Sequence, residues 1–192
     1  MKNFVFISPN FPTNYWKFCK ELRGNGLNVL GVGDCPYDEL NPELKLSLTE
    51  YYRVNSLENY DEVYRAVALF AFKYGRIDFI ESNNEYWLEL DAKLRTDFNV
   101  CSGFKEEDMA RLKHKSKMKE YYKKACVVTA RYCMATSVEE CKKFIAKVGY
   151  PVIVKPDNGV GANDTYKLSS DEELKRFFNE KPPLEYIMEE FV

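Results

Sequence analysis

Three stretches of this sequence carry side chains whose types and spacing could do chemistry. In VIVKPDNGVGANDTYKL, residues 152–168, Lys155 closes an apolar run and a loop follows that holds Gly159 and Gly161. A lysine ending a buried strand is costly to enclose and ordinarily snorkels to water. Glycine reaches positive φ without steric cost, so the stretch reads first as a β-hairpin with a loose turn. In the other reading, the glycines let successive backbone N–H groups approach a phosphate as an anion-binding nest. Lys155 then adds a point charge to the same oxygens. The second stretch, KHKSKMKEYYKKA at 113–125, carries Lys113, Lys115, Lys117 and Lys119 around His114, and its plain reading is a solvated helix face. The third, ESNNEYWLE at 81–89, puts Glu81, Asn83, Asn84 and Glu85 past the end of an expected strand, where open α/β sheets place ligands. Asn84 reads first as the N-cap of the next helix, and a second reading gives Glu85 to the substrate side of a cleft.

The elements that must position these residues follow from periodicity. Phe4–Ile7 and Leu27–Gly33 read as buried strands, and RIDFIES at 76–82 as a third. Between and after them, three sets recur at helical spacing: Tyr15, Phe18, Cys19 and Leu22; Tyr60, Val63, Tyr64, Val67 and Ala71; Trp87, Leu90, Leu94 and Phe98. Strands alternating with helices predict a parallel sheet covered on both faces, a Rossmann-like unit. After Gly103 the pattern changes. Two short polar helices are predicted near 105–112 and 116–125, then an extended CVVTARY, a helix over SVEECKKFIAKVGY and the strand PVIVKP. The glycine loop, the strand DTYKL, another helix and a last strand in LEYIMEEFV complete the chain. Ser137 with Glu140, and Ser170 with Glu173, have the spacing of capping boxes. The expected fold class is α/β, with a parallel-sheet unit over 1–112 and a small α+β unit over 113–192.

Composition narrows the classes. The chain has 192 residues and a formal net charge of −2, which gives no electrostatic reason to expect nucleic acid or an anionic membrane as partner. One histidine, and six cysteines without a CxxC pair, leave a zinc site short of ligands. No apolar run has the length of a secretion signal or a membrane span, so a cytoplasmic location is expected. GVGD at 31–34 lacks the third glycine of a dinucleotide fingerprint and follows the second strand, so it reads as a turn.

Taken in order, HKSKMKEYYKKA, VGYPVIVKPDNGVGANDTYKL, the capped helix behind it and YIMEEFV resemble the nucleotide-binding half of the ATP-grasp superfamily. GLNVLGVGD and YGRIDFIESNNEYWLELDAKLRTDF resemble the domain that precedes the grasp in carbamoyl phosphate synthase large chains, biotin carboxylases and amino-acid ligases. The resemblance implies ATP with Mg2+ as cofactors, and Lys117 and Lys155 reaching toward the nucleotide. Ser116 stands where the family often has Asp or Asn, so Lys113, Lys115 and Lys119 are rivals for the first of those positions. It also implies that Gly159 and Gly161 lie in the phosphate-covering loop and that Glu189 accepts from the adenine amino group. Glu190 and Val192 would give backbone contacts to the ring edge.

The implied reaction phosphorylates a carboxylate, bicarbonate included, to an acyl phosphate that an amine or other nucleophile attacks. In the family, the metal ligands, the ribose carboxylate and the transition-state arginine follow the hinge strand, on which this sequence stops. No catalytic or metal-ligating residue is therefore assigned here. The expectation is the N-terminal part of a longer ligase, inactive alone, with ATP, an unidentified carboxylate and a nucleophile as partners. A homodimer is among the expected partner states, while pairing through an exposed edge of the last strand would be an artefact of packing. The alternatives are a nucleotide-sensing or assembly module that never catalyses and, lower, a dinucleotide-dependent oxidoreductase.

Overall fold

The computed structural model describes residues 1–159 and 163–192, and the chain divides into two compact units, Met1–Glu107 and Asp108–Val192. The first unit runs β1 (Asn3–Ile7), α1 (Trp16–Gly24), β2 (Asn28–Gly33), α2 (Pro42–Ser47), β3 (Glu50–Arg53), α3 (Tyr60–Tyr74), β4 (Phe79–Glu81) and α4 (Leu88–Asp97). Its four strands are parallel in the order β3-β2-β1-β4, which begins the doubly wound α/β arrangement. Strands buried on both faces read as continuous apolar runs. In β1, Val5 and Ile7 pack with Val63, Val67, Phe70 and Leu94, while Phe6 turns to the other face with Cys19, Leu40 and Leu44. Each such side chain contributes about 1.5–3 kcal/mol when fully buried.

Two elements escape the periodicity. Helix α2 is short, but Asn41 accepts from the Glu43 N–H and Pro42 opens the first turn, a start signal present in the sequence. Strand β3 is EYYR, with no alternation of buried and exposed residues to mark it. The two glycines of GVGD serve packing against these elements. A Cβ at Gly31 would stand 3.0 Å from a Leu48 methyl, and one at Gly33 would stand 2.6 Å from the Tyr51 hydroxyl.

The second unit runs α5 (Met109–Lys113), α6 (Lys115–Lys124), β5 (Tyr132–Met134), α7 (Val138–Val148), β6 (Val152–Pro156), β7 (Tyr166–Leu168), α8 (Asp171–Glu180) and β8 (Tyr186–Glu190). Helix α5 falls in this unit, whose start at Asp108 lies N-terminal to the 112/113 division read from sequence. The sheet has the order β5-β8-β6-β7 and is antiparallel throughout. β6 and β7 form the hairpin expected of the glycine stretch, with Val152 opposite Leu168. Both serines cap their helices, the Ser137 and Ser170 hydroxyls accepting from the Glu140 and Glu173 N–H groups, while the Glu173 carboxylate accepts from the Ser169 N–H and Glu140 pairs with Lys143. The stripes behind them, Cys141, Phe144 and Ile145 on α7 and Leu174 and Phe177 on α8, cover the sheet face made by Val152, Val154 and Met188. The expected extended segment at 126–132 becomes a strand only from Tyr132. Among the described residues, no helix is long and apolar enough to cross a membrane.

Candidate functional site

Because α7 and α8 take one face of the second sheet, the alternate residues of its strands are left to the other face. On β6 these are Ile153 and Lys155, on β8 Ile187 and Glu189, and on β5 Tyr132. Ile153 is paired with Glu189, Lys155 with Ile187 and Tyr132 with Glu189. Lys155 is thus a diagonal neighbour of Glu189, and its Nζ lies 2.6 Å from Glu189 Oε2. The other oxygen, Oε1, lies 3.1 Å from Nζ of Lys119 on α6. Lys119 also donates to the Ala130 carbonyl at 2.8 Å and lies over the Tyr132 ring at 5.4 Å. Glu189 and Lys119 are both buried, while the Lys155 side chain keeps 27% of its exposure. A carboxylate with one cation on each oxygen still has lone pairs for a further donor.

The base of the glycine loop is fixed to the start of α6. Asp157 is 2% exposed, and its carboxylate accepts from the Ser116 N–H at 2.7 Å and the Ser116 hydroxyl at 2.9 Å, with His114 Nδ1 at 3.1 Å. It fills the capping role that His114, at the N-cap, leaves open, and its charge suits a helix N-terminus. The Lys115 N–H donates to the Asp157 carbonyl at 3.0 Å, and Lys115 Nζ lies 3.4 Å from the carbonyls of Asp157 and Gly159.

The residues expected from sequence are therefore brought together unevenly. Lys155 and Glu189 are in direct contact. Gly159 is placed beside Lys115, whereas Gly161 lies outside the described residues. Lys117 is exposed and pairs with Glu120 on its own helix at 3.0 Å, so it is not brought to this group, while its rivals Lys115 and Lys119 are. Glu190 accepts from the Arg131 N–H and Nε at 2.7 and 2.6 Å, contacts that hold its carboxyl below the usual range. Its own N–H donates to the Arg131 carbonyl at 3.0 Å, so that backbone donor is already engaged. Val192 lies past the end of β8 and is almost fully exposed. Sequence reasoning missed Asp157 altogether, because an aspartate beside Asn-Gly signals only a turn.

The polar cluster of the first unit resolves into distinct parts. Asn84 accepts from the Tyr86 N–H at 3.0 Å, as a cap does, and Asn83 takes positive φ in the turn. Glu81 pairs at 2.7 Å with Arg95, a buried residue of α4. Asp91, 2% exposed, accepts through Oδ2 from the Ser82 N–H at 2.9 Å and the Ser82 hydroxyl at 2.6 Å. Burial pushes the Asp91 carboxyl up to about 6, against the lowering effect of Ser82 and Arg95. Between its unfolded value of 3.8 and about 6 the folded protein holds a proton that the unfolded chain has released. Stability therefore falls as pH rises through that window. Asp91→Asn mimics the protonated group, so its destabilisation should shrink by about 2 kcal/mol between pH 4 and pH 7. Denaturant melts of both proteins at the two pH values check this, and a penalty independent of pH would refute it.

Residues 111–182 match the family model described as carbamoyl-phosphate synthase L chain, ATP binding domain. The carbamoyl phosphate synthase large chain of Bifidobacterium longum (strain DJO10A) is 24% identical over 144 residues, 75% of this chain and 13% of that protein. Among solved structures, the biotin carboxylase domain of Hydrogenobacter thermophilus 2-oxoglutarate carboxylase, in complex with MgADP, ADP and bicarbonate, superposes on the whole chain. Its TM-score is 0.77 at 18% identity. The L-amino acid ligase of Bacillus licheniformis does so with a TM-score of 0.70 at 17% identity. This chain spans 44% of each of those two structures. At these identities the structural likeness is one of fold. The ATP-grasp resemblance drawn from the motifs is thus found again in the family model, in the curated relatives and in the fold.

Proposed function

We propose that the chain supplies the nucleotide-gripping side of an ATP-dependent ligase. In that reaction a carboxylate, or bicarbonate, becomes an acyl phosphate that an amine or another nucleophile then attacks. The observation that carries the proposal is the Lys119–Glu189–Lys155 group on the sheet face opposite α7 and α8, beside a glycine loop whose base is clamped by Asp157. Those residues fit a nucleotide: two ammonium groups suit phosphate oxygens, and the carboxylate between them can accept from an exocyclic amine. When bound, ATP would supply the phosphoryl group.

The chain's residues would then act by position and charge, which is how phosphoryl transfer is mostly catalysed. Lys155 holds phosphate charge from β6. The role expected of Lys117 passes to Lys115, whose ammonium lies at the loop carbonyls of Asp157 and Gly159. Glu189 orients Lys119 and Lys155 and accepts from the adenine amino group. Glu190 and Val192 are assigned to the ring edge through backbone groups, Glu190 through its carbonyl. Gly159 and Gly161 are assigned to the loop that covers the phosphates. Among the described residues no group of three or more His, Cys, Asp or Glu could hold a metal.

ATP-dependent phosphate release by the full-length gene product tests the reading. Release that requires an added carboxylate supports it. Saturable nucleotide binding without release under any carboxylate would instead make the protein a nucleotide sensor.

A further inference from the structure

The second unit holds two cysteines that the nucleotide reading does not use. Cys133 lies on β5, opposite Met188 of β8, and Cys141 lies in the first turn of α7. Alternation along β5 gives Tyr132 to the face that carries Glu189 and turns Cys133 to the other, against α7. There Cys133 packs on the cluster that contains Cys141, Val154 and Met188. The Cys141 thiol donates a hydrogen bond to the Cys133 sulfur, so the two thiols are in direct contact. Neither is in a disulfide.

The two thiols differ in reach. Cys141 is fully buried, whereas Cys133 is partly exposed and sits on an edge strand that pairs only with β8. The hydrogen bond from Cys141 holds the Cys133 thiol below its ordinary range, and the same bond, with burial, pushes the Cys141 thiol up. The thiolate is the attacking form of cysteine, so Cys133 is suited to react first and Cys141 to resolve the product.

We propose that Cys133 and Cys141 form a redox pair that hydrogen peroxide oxidises to a disulfide, fastening the edge strand β5 to α7. The Cys133 thiolate attacks one peroxide oxygen. An S–O bond forms, the O–O bond breaks, and the departing hydroxide leaves as water with the proton that Cys133 had released. Cys133 is then a sulfenic acid. The Cys141 sulfur attacks Cys133 Sγ, the S–S bond forms as the S–O bond breaks, and the hydroxyl leaves as water with the Cys141 proton. The two thiols have together lost two electrons, which the peroxide has gained, and a thiol reductant reverses the change. The bond grips β5 from the face opposite Tyr132, over whose ring Lys119 lies.

The test treats the folded 192-residue chain with hydrogen peroxide, unfolds it in iodoacetamide and maps it by mass spectrometry. Trypsin cuts after Arg131 and Lys142, so both cysteines fall on one peptide, Tyr132–Lys142. That peptide should become lighter by two hydrogens and closed to alkylation, and dithiothreitol should return it to the doubly alkylated form. Cys101 and Cys126, both exposed, are the internal controls and should be lost more slowly. Cys141→Ser should stop at a Cys133 sulfenic acid that dimedone traps, and Cys133→Ser should leave Cys141 open to alkylation. Amide hydrogen exchange along β5 should slow on oxidation. Thermal melts show whether each variant is folded, and if Cys141→Ser is not, the wild-type map and Cys133→Ser decide. A Tyr132–Lys142 peptide still doubly alkylated once Cys101 and Cys126 are oxidised, or Cys141 oxidised in Cys133→Ser as fast as in the wild type, would overturn the redox pair. Unchanged exchange along β5 in the disulfide form would overturn the fastening.

Discussion

Lys155→Ala is expected to lower ATP-dependent phosphate release by the full-length protein by about two to three orders of magnitude, the range seen when one preorganised group is removed from a developing charge. The loss should fall on kcat as well as on the KM for ATP, because a phosphate contact strengthens as charge moves in transfer. The fold should survive. Lys155 is partly exposed, and after its removal Glu189 still has Lys119 at 3.1 Å. Lys155→Arg should restore only part of the rate, since a planar guanidinium does not reproduce a compact ammonium at the end of β6. Steady-state kinetics of the three proteins decide the matter. An unchanged rate for Lys155→Ala would remove this lysine from the nucleotide site.

The second large effect concerns stability. Glu189→Ala leaves the Lys119 ammonium in the interior, 9% exposed, with only the Ala130 carbonyl as acceptor. Stranding one partner of a buried pair typically costs about 3–5 kcal/mol, whereas replacing both by apolar residues of similar volume is often nearly neutral. Glu189→Ala should therefore cost about 3 kcal/mol, and Lys119→Met with Glu189→Leu should recover most of that loss. Both tryptophans, Trp16 and Trp87, lie in the first unit, so fluorescence would follow the wrong part of the molecule. Amide hydrogen exchange of β6 and β8 reports the second unit directly. If the double variant is as unstable as Glu189→Ala, Lys119 and Glu189 are not coupled as described.

How much of this was legible beforehand depends on the range of the signal. The β6–β7 hairpin, the Ser137 and Ser170 caps and the α7 and α8 stripes were all readable, and all depend on residues within a few positions of one another. Asn41-Pro42 announces α2 in the same local language. The EYYR strand gave no such signal, because β3 is defined by its pairing with β2 and not by a pattern of its own.

By itself, the sequence determined the fold class, the hairpin with Lys155 and the ATP-grasp resemblance of the second unit. These follow from hydrophobic period, turn chemistry and a string of motifs. Only the tertiary structure decided which lysines of α6 lie against Glu189 and the base of the glycine loop. The helix advances about 100° per residue, so Lys117 points roughly 200° away from Lys119, while Lys115 and Lys119 share a face. Met118, Tyr121 and Tyr122 have the spacing of an apolar stripe, yet both tyrosines are exposed and Lys119 is buried, so that local pattern does not tell which side meets the sheet. The same holds for Asp91. Its carboxyl is buried because α4 packs against the end of β4, and no local spacing encodes that burial.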